Sequence, residues 1–331
     1  MDLLYQVRKY IEKQSLIQKR QRIILGVSGG MDSMFLLHAM KHWQEHFEVE
    51  LVAVHVNHMI RESATNDQYF VERACSSAKV PCIVVTQDVP TYAKNRRIGI
   101  EEAGREVRME AFCKIATIYQ ADAIMLAHHL NDHMETMLLH FFRGCSARGL
   151  SGIRPKNGNV LHPLVEISKE EMAQFMKKNE LDWCEDETNL HDDYSRNFLR
   201  NRLIPMIEQS IQPGLKKTLQ TQSIIFSELD EYMMQQAKRI ITEQAVFTEN
   251  VERRCYEISN NVLKNSHKAL RRYVIYYMLQ ECLVHLKDIG FAHIDAICQL
   301  VESEHGKHLD LARNVVVERR EKKIYITYKK E

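Results

Sequence analysis

The chain has 331 residues, 45% of them apolar and 27% charged, with a formal net charge of +1. That length exceeds what one hydrophobic core usually serves, so two domains are expected. No stretch approaches the ~18 consecutive apolar residues of a membrane span, Met1-Asp2-Leu3-Leu4-Tyr5 does not open a secretory signal, and a nucleic-acid partner would need local basic patches.

Short apolar runs at Ile23–Val27, Leu51–Val56, Cys82–Val85 and Ala123–Ala127 read as buried strands. Between them Met34–Trp43, Asp67–Lys79 and Glu101–Tyr119 carry helical spacing. This alternation predicts an α/β fold, a doubly wound parallel sheet with helices on both faces. Residues 144–158 hold four glycines and Pro155 and read as a basic loop. A helix is expected over 168–179, capped by Ser168 with Glu170 and Glu171 in its first turn. The segment Glu208-Gln209-Ser210-Ile211-Gln212-Pro213-Gly214 reads as a boundary, giving domains 1–210 and 211–331. The second is expected to be mostly helical and to end in two short strands, Val315–Val317 and Ile324–Tyr328. In its helix around Ala269–Met278 the apolar stripe reads as core, with Arg271 and Arg272 still open to face RNA. Eight cysteines are scattered without a Cys-x-x-Cys, which reads as reduced thiols and argues against a zinc or iron–sulfur site.

The first strand ends in Ser28-Gly29-Gly30-Met31-Asp32-Ser33, and an apolar helix follows. Glycines let the backbone approach a ligand closely. N–H groups and serine hydroxyls at a helix N-terminus suit anionic oxygens. The Walker pattern is excluded because the loop has no lysine. A carboxylate at Asp32 would repel phosphates unless Mg²⁺ bridged them.

Two further clusters, at His55–Arg61 and His128–Asp132, fall where such sheets bind ligands, beyond the carboxyl ends of the strands. Ala127-His128-His129-Leu130-Asn131-Asp132-His133-Met134-Glu135-Thr136 begins a helix. Its one side carries Asp132, Glu135, Thr136, Leu139 and Arg143, and its other Met134, Met137, Leu138 and Phe141. Glu101, Arg105 and Arg108 share a helix face, either as a surface pair or as an anion receptor. His55-Val56-Asn57-His58-Met59-Ile60-Arg61 is a strand end near adenine or a polar loop. Farther on, the acidic turn Glu185-Asp186-Glu187-Thr188-Asn189 precedes a helix bearing Arg196, Arg200 and Arg202, a candidate phosphate-backbone contact.

The hexapeptide at 28–33 resembles the PP-loop of the N-type ATP pyrophosphatases, an adenine nucleotide alpha hydrolase-like fold. Further blocks narrow the resemblance: His-x-Asn-His-x-x-Arg, Arg-x-x-Arg, His-His-x-x-Asp-x-x-Glu-Thr, Arg-Gly-x-x-x-x-Gly-Leu-x-Gly over 143–152, His-Pro-Leu over 162–164, Glu-Asp-x-Thr-Asn and Arg-Asn-x-x-Arg. Their order over residues 20–210 resembles the tRNA(Ile)-lysidine synthetase family. The resemblance implies a cytoplasmic ligase. It uses ATP to adenylate the wobble cytidine of tRNA(Ile) with a CAU anticodon. The ε-amine of L-lysine then displaces AMP at C2, giving lysidine, which reads AUA rather than AUG.

Carried over, the resemblance implies that Ser28, Gly29, Gly30, Met31, Asp32 and Ser33 bind ATP. Asp32 and Asp132 hold Mg²⁺ and, with Arg108, serve catalysis. Glu135, Arg108 and Asp132 receive lysine, with Asp132 the first choice for general base. Arg143, Arg196, Arg200 and Arg202 contact tRNA, as does the second domain. Asn131 stands where the family often has aspartate, and Gly104 and Met109 replace a usual alanine and tyrosine. As a full protein the chain would resemble the family's short members; as a piece of a longer one it would lack the further C-terminal domain that grips the acceptor stem, and RNA affinity would be incomplete. A homodimer through the C-terminal helices stays open. The nearest rival is a PP-loop tRNA thiolase, which would show paired or persulfide-bearing cysteines. A PP-loop amidotransferase would need a glutaminase, and a retired ATP-sensing or RNA-binding module would not need Asp32, Asp132 and Glu135.

Overall fold

The computed structural model describes residues 2–59, 64–184, 195–283, 289–304, 306–311 and 314–330. The chain divides into two compact units, Met1–Phe142 with Gly152–Thr221, and Arg143–Ser151 with Gln222–Glu331. The division falls inside one long helix, Leu215–Gln244, later than the boundary read at 210. Pro213 and Gly214 mark the start of that helix rather than a linker, with the Leu215 amide donating to the Gln212 carbonyl.

The first unit is built on a sheet with strand order β3-β2-β1-β4-β6-β5. The strands are β1 (Arg22–Gly26), β2 (Glu50–Asn57), β3 (Cys82–Thr86), β4 (Ala123–Met125), β5 (Lys156–Asn157) and β6 (Val160–Leu161). All pairings are parallel except that of the edge strand β5 with β6. Helices α1 (Leu3–Lys13), α2 (Met31–Phe47), α3 (Ala64–Ser77), α4 (Val89–Arg96), α5 (Ile100–Ile118), α6 (Leu130–Arg143) and α8 (Lys169–Lys178) accompany the sheet, and the short α7 (Ala147–Leu150) between α6 and α8 belongs to the second unit. Strand residues alternate between two cores. Ile23, Leu25, Leu51 and Ala53 face α1, α2 and α8; Ile24, Val52, Val54 and Val56 face α4 and α5. Coverage of both faces is why the strands read as continuous apolar runs. The expected doubly wound sheet is therefore what forms.

The chain runs β1 to β2 to β3 on one side, then crosses to β4 on the other side of β1. The reversal opens a crevice beyond the carboxyl ends of β1 and β4, the place where such sheets take ligands. Helix α8 starts with Ser168 and Glu171 as a reciprocal cap, as its sequence predicts. The loop read over 144–158 contains α7 and β5. Residues 195–210 form one helical run: α9 (Ser195–Phe198), a π turn (Leu199–Leu203) and α10 (Ile204–Ser210).

The second unit carries most of α11 (Leu215–Gln244), then α12 (Asn260–Asn265), α13 (Lys268–Cys282) and α14 (Phe291–Glu302). Its sheet, order β7-β8-β11-β10-β9, is antiparallel throughout: β7 (Ala245–Glu249), β8 (Arg253–Ser259), β9 (His308–Leu311), β10 (Val315–Arg320) and β11 (Lys323–Lys329). The two strands expected at the end are β10 and β11. Three more were not anticipated, because β7 to β9 are short and interleave charges with their inward residues, as Tyr256 and Ile258 do. Val274, Met278 and Ile275 are fully buried, so the stripe on α13 is core. The outward reading of Arg271 is corrected; Arg272 stays partly exposed. Arg271 is buried, donating to the carbonyls of Leu263 and Lys264 that end α12 and to Glu302. Arg272 pairs with Asp295 at 2.8 Å.

Candidate active site

The Ser28–Ser33 loop joins β1 to α2 at the crevice. Gly29 has φ +93°, a left-handed conformation that disfavours any side chain. A Cβ there would lie 3.2 Å from Val71 and 3.5 Å from Cys184 Sγ. The Cys184 amide donates to the Gly29 carbonyl at 3.0 Å. Gly30 caps α2 without a side chain, leaving the helix N-terminus open. Ser33 organises the loop: its hydroxyl accepts from the Ser28 and Gly29 amides at 3.1 and 3.2 Å and donates to the Gly30 carbonyl at 2.9 Å. Ser28 Oγ lies 3.1 Å from Ser33 Oγ. The Met31 side chain turns into the core, so only its backbone is placed to meet a ligand. Beneath the loop, the His55 ring meets the Val27 carbonyl at 2.9 Å. Ile60, Arg61 and Glu185–Asn189 lie outside the described residues.

His129 joins the loop to the second cluster. It is buried, and its Nε2 lies 3.4 Å from Asp32 Oδ2 and 3.4 Å from Asp132 Oδ2. The Asp132 amide points to its Nδ1 at 3.4 Å and the His129 amide donates to Asp132 Oδ2 at 3.1 Å. Burial opposes a charged imidazole, yet Asp32 and Asp132 outweigh it and hold His129 above the ordinary histidine range. Burial likewise pushes the Asp132 carboxyl up, but His129, His128 and Arg200 outweigh it and keep Asp132 below the usual carboxylate range. Asp32 Oδ1 is buried without a hydrogen-bond partner.

Glu135 is only 1% exposed. Arg200 clasps it with Nε at 2.6 Å and Nη2 at 3.0 Å, and the same Nη2 lies 3.4 Å from Asp132 Oδ1. Arg196 donates to Thr136 Oγ1 at 3.0 Å, with its Nε 3.3 Å from Glu135 Oε2 but outside hydrogen-bond geometry. Burial raises the Glu135 carboxyl despite Arg200. Arg196 and Arg200 thus turn inward onto α6, whereas Arg143 and Arg202 are exposed. The polar stripe read along α6 is not a solvated face, and Phe141, expected inside, is 63% exposed. Leu130, Met134, Leu199, Ile204 and Leu215 fill the core between α6 and the 195–210 run, which is what aims the arginines inward.

Arg105 and Arg108 are exposed on α5. Gly104 has a local reason: a Cβ there would sit 3.3 Å from the His58 ring. Met109 packs against the α4–α5 core. Asn131 also has one. Its Oδ1 accepts from the Lys169 amide at 3.1 Å, capping α8, a task an amide performs without adding charge. The roles of His129, His162 and Thr136 were not assigned from sequence. Two adjacent histidines before an acidic helix start were the available signal.

The residues fit a nucleotide and a divalent cation. The glycine cradle and open helix N-terminus suit phosphates. Among the described residues no group of three or more His, Cys, Asp or Glu side chains could cage a metal. Mg²⁺ needs no such cage; it takes one or two carboxylates plus phosphate oxygens, and the unpartnered Asp32 Oδ1 is such a donor.

Comparison with known proteins agrees with this geometry. The PP-loop domain family matches residues 2–207. The chain is 33% identical over 312 residues to a tRNA(Ile)-lysidine synthase from Caldanaerobacter subterraneus subsp. tengcongensis, covering 93% of this chain and 66% of that one. It is 31% identical over 329 residues to the tRNA(Ile)-lysidine synthase of Oceanobacillus iheyensis, covering 97% and 70%. The chain thus spans about two thirds of the length of these relatives. Among solved structures, the U34-tRNA thiolase NcsA from Methanococcus maripaludis, with its [4Fe-4S] cluster, superposes with TM-score 0.56 at 16% identity, over 67% of this chain and 79% of that one. That likeness concerns the fold alone. With a PP-loop after β1, two carboxylates gathered by His129 and relatives matched along nearly all its length, the chain belongs to the tRNA(Ile)-lysidine synthase family of PP-loop proteins.

Proposed function

We propose that the protein is an ATP-dependent carbon–nitrogen ligase that makes lysidine in tRNA(Ile) bearing a CAU anticodon. The observation that carries this is the gathering of Asp32 and Asp132 around His129 beside the PP-loop, in a chain matched over 93% of its length to a tRNA(Ile)-lysidine synthase. In the first step the C2 oxygen of the wobble cytidine attacks the α-phosphate of ATP and pyrophosphate leaves. In the second the ε-amine of lysine attacks C2 and AMP leaves.

Ser28, Gly29, Gly30 and Ser33 grip the phosphates through amides and hydroxyls. Asp32 and Asp132 would hold Mg²⁺, which supplies charge neutralisation at the phosphates. Asp132 and Glu135 receive the lysine ammonium, and Asp132, the carboxylate that stays ionised, takes its proton. Arg108 takes the lysine carboxylate. Arg143 and Arg202 meet the RNA backbone, and Arg196 and Arg200 hold the acidic pair in place. The second unit carries part of the tRNA. The reading implies a cytoplasmic protein; among the described residues no helix is long and apolar enough to cross a membrane.

The test is incorporation of radiolabelled lysine into unmodified CAU-anticodon tRNA(Ile), with ATP and Mg²⁺, and methionine tRNA as control. ATP-dependent labelling of the isoleucine tRNA alone is expected. AMP formation without labelling would remove lysine as nucleophile.

A further inference from the structure

Cys75 and Cys82 stand on either side of the turn that joins α3 to β3. The turn is tightly made. The Val80 amide donates to the Cys75 carbonyl at 2.9 Å and the Lys79 amide to the Ser76 carbonyl at 3.0 Å. Lys79 takes φ +54°, and the three features together are the left-handed close of a helix end. Sheet pairing then fixes the strand: Cys82 lies in register with Ala53, whose amide donates to the Pro81 carbonyl at 2.8 Å. The chain folds back so that two sulfurs meet. Cys75 is fully buried, Cys82 packs half-buried against the same core, and the two thiols share a hydrogen bond. Neither is in a disulfide.

The two sulfurs are not equivalent. Cys75 is sealed from water, so a thiolate there would go unsolvated. Cys82 reaches the surface in part and accepts from the Cys75 S–H. That bond holds the Cys82 thiol below the ordinary cysteine range, against burial and the charge of Glu72. The same bond, and burial, push Cys75 above it. An accessible sulfur with thiolate character beside a second thiol is the arrangement that oxidants engage: one sulfur attacks and the other resolves. The pair also sits on the helix that walls the PP-loop, since Val71, one turn before Cys75, would lie 3.2 Å from a Cβ at Gly29.

We propose that Cys75 and Cys82 are a redox-modification site that closes into a reversible disulfide on reaction with a hydroperoxide. The Cys82 thiolate attacks one peroxide oxygen and the O–O bond breaks. Cys82 becomes a sulfenic acid, and the departing hydroxide takes up the proton that Cys82 gave up and leaves as water. The Cys75 sulfur then attacks the Cys82 sulfur, and its proton goes with the departing hydroxyl as a second water. One S–S bond forms, two S–H bonds are lost, and the peroxide gains the two electrons. A dithiol reductant returns both thiols. In a reducing compartment such a bond is transient, which suits a sensor rather than a staple. This chemistry is independent of what the crevice binds.

The test uses the full chain, first reduced and then treated with hydrogen peroxide. Trypsin cuts after Lys79, between the two cysteines, so the bond leaves the peptides Ala74–Lys79 and Val80–Lys94 joined until a reductant is added. Mass spectrometry should find that joined pair, two hydrogens lighter than its parts, ahead of any pair holding the exposed Cys113 or Cys145. C75S should abolish the bond and leave a sulfenic acid on Cys82 that dimedone traps. C82S should abolish the bond and leave Cys75 without a dimedone adduct. Absence of the joined peptides from the oxidised, unaltered protein would overturn the proposal, and that measurement needs no variant to fold. Joined peptides holding Cys113 or Cys145 in their place would overturn it too. A dimedone adduct on Cys75 in C82S would reverse the roles given to the two sulfurs and overturn the mechanism.

Discussion

Arg200 holds Glu135 by both Nε and Nη2, at 2.6 and 3.0 Å, and Glu135 is almost wholly enclosed. Breaking a buried pair from one side leaves a charge without a partner and costs about 3–5 kcal/mol. Arg200 is partly exposed, so water screens the loss and brings it to or just below the low end of that range. R200A should lower stability by about 2–3 kcal/mol, read from urea unfolding. R200A combined with E135Q should recover part of that loss. Equal stability of R200A and the unaltered protein would mean that the clasp contributes nothing.

D32N separates stability from chemistry. Asp32 Oδ1 is buried without a partner, and its other oxygen shares His129 with Asp132. Residues serving a ligand are often strained in its absence. D32N should leave the melting temperature unchanged or raise it slightly, while AMP formation falls at least a hundredfold. A large drop in melting temperature with activity retained would make Asp32 a structural residue.

Glycine substitutions give a matched pair. Gly152 has φ +66°, and a Cβ there would lie 2.7 Å from the His133 ring and 2.8 Å from Met137. G152A combines a left-handed alanine with a clash in a packed core and should cost about 2–4 kcal/mol. Gly99 caps α5 at φ −66° with nothing within 4 Å. G99A should cost under about 1 kcal/mol. Similar thermal shifts for both would contradict the packing described around His133.

Acid should weaken the fold through three histidines. His58 and His128 are held to about 4 and His162 to about 3, each chiefly by burial, against the ordinary 6.5. All three folded values lie below the unfolded one. The stability they provide is full above about pH 6.5 and is lost as pH falls toward 4, because the unfolded chain binds more protons there. Urea midpoints at pH 7, 6 and 5 should fall in that order, and H162Q should flatten the slope. A flat profile across this window would show that these rings titrate normally.

The first unit was largely legible because both faces of its sheet are buried. Runs such as Ile23–Leu25 and Val52–Val54 then have no polar alternative, and the loop at Ser28 follows from where the first run stops. The second sheet was less visible because β8 alternates Tyr256 and Ile258 with outward Cys255 and Glu257, a pattern too short to stand out beside the helices. In the site, Asp32, Asp132 and Glu135 were marked by residue type and spacing. Their partners were not. The Arg200–Glu135 contact joins positions 65 residues apart, and no local period reports such a distance. Arg196 and Arg200 looked like surface cations because their helix reads as polar; the apolar contacts of Leu199 and Ile204 with α6 decide otherwise.

The π turn at Leu199–Leu203 sits between the two halves of that helix. A π turn holds one residue more than the α-helical turn it interrupts. It therefore acts as a splice, taking up the extra residue between Ser195–Phe198 and Ile204–Ser210. Removing a single residue from the turn would wind the run into an ordinary helix, in which one residue fewer closes nearly the same full turn, so Ile204–Ser210 would keep its face. Arg200, at Glu135, and Arg202, exposed, both stand inside the turn, two residues apart and so on nearly opposite sides of the axis. The turn thus stores one residue of chain inside the helix without turning the segment that follows it, and the arginine that guards the acidic pair is one of the residues it holds.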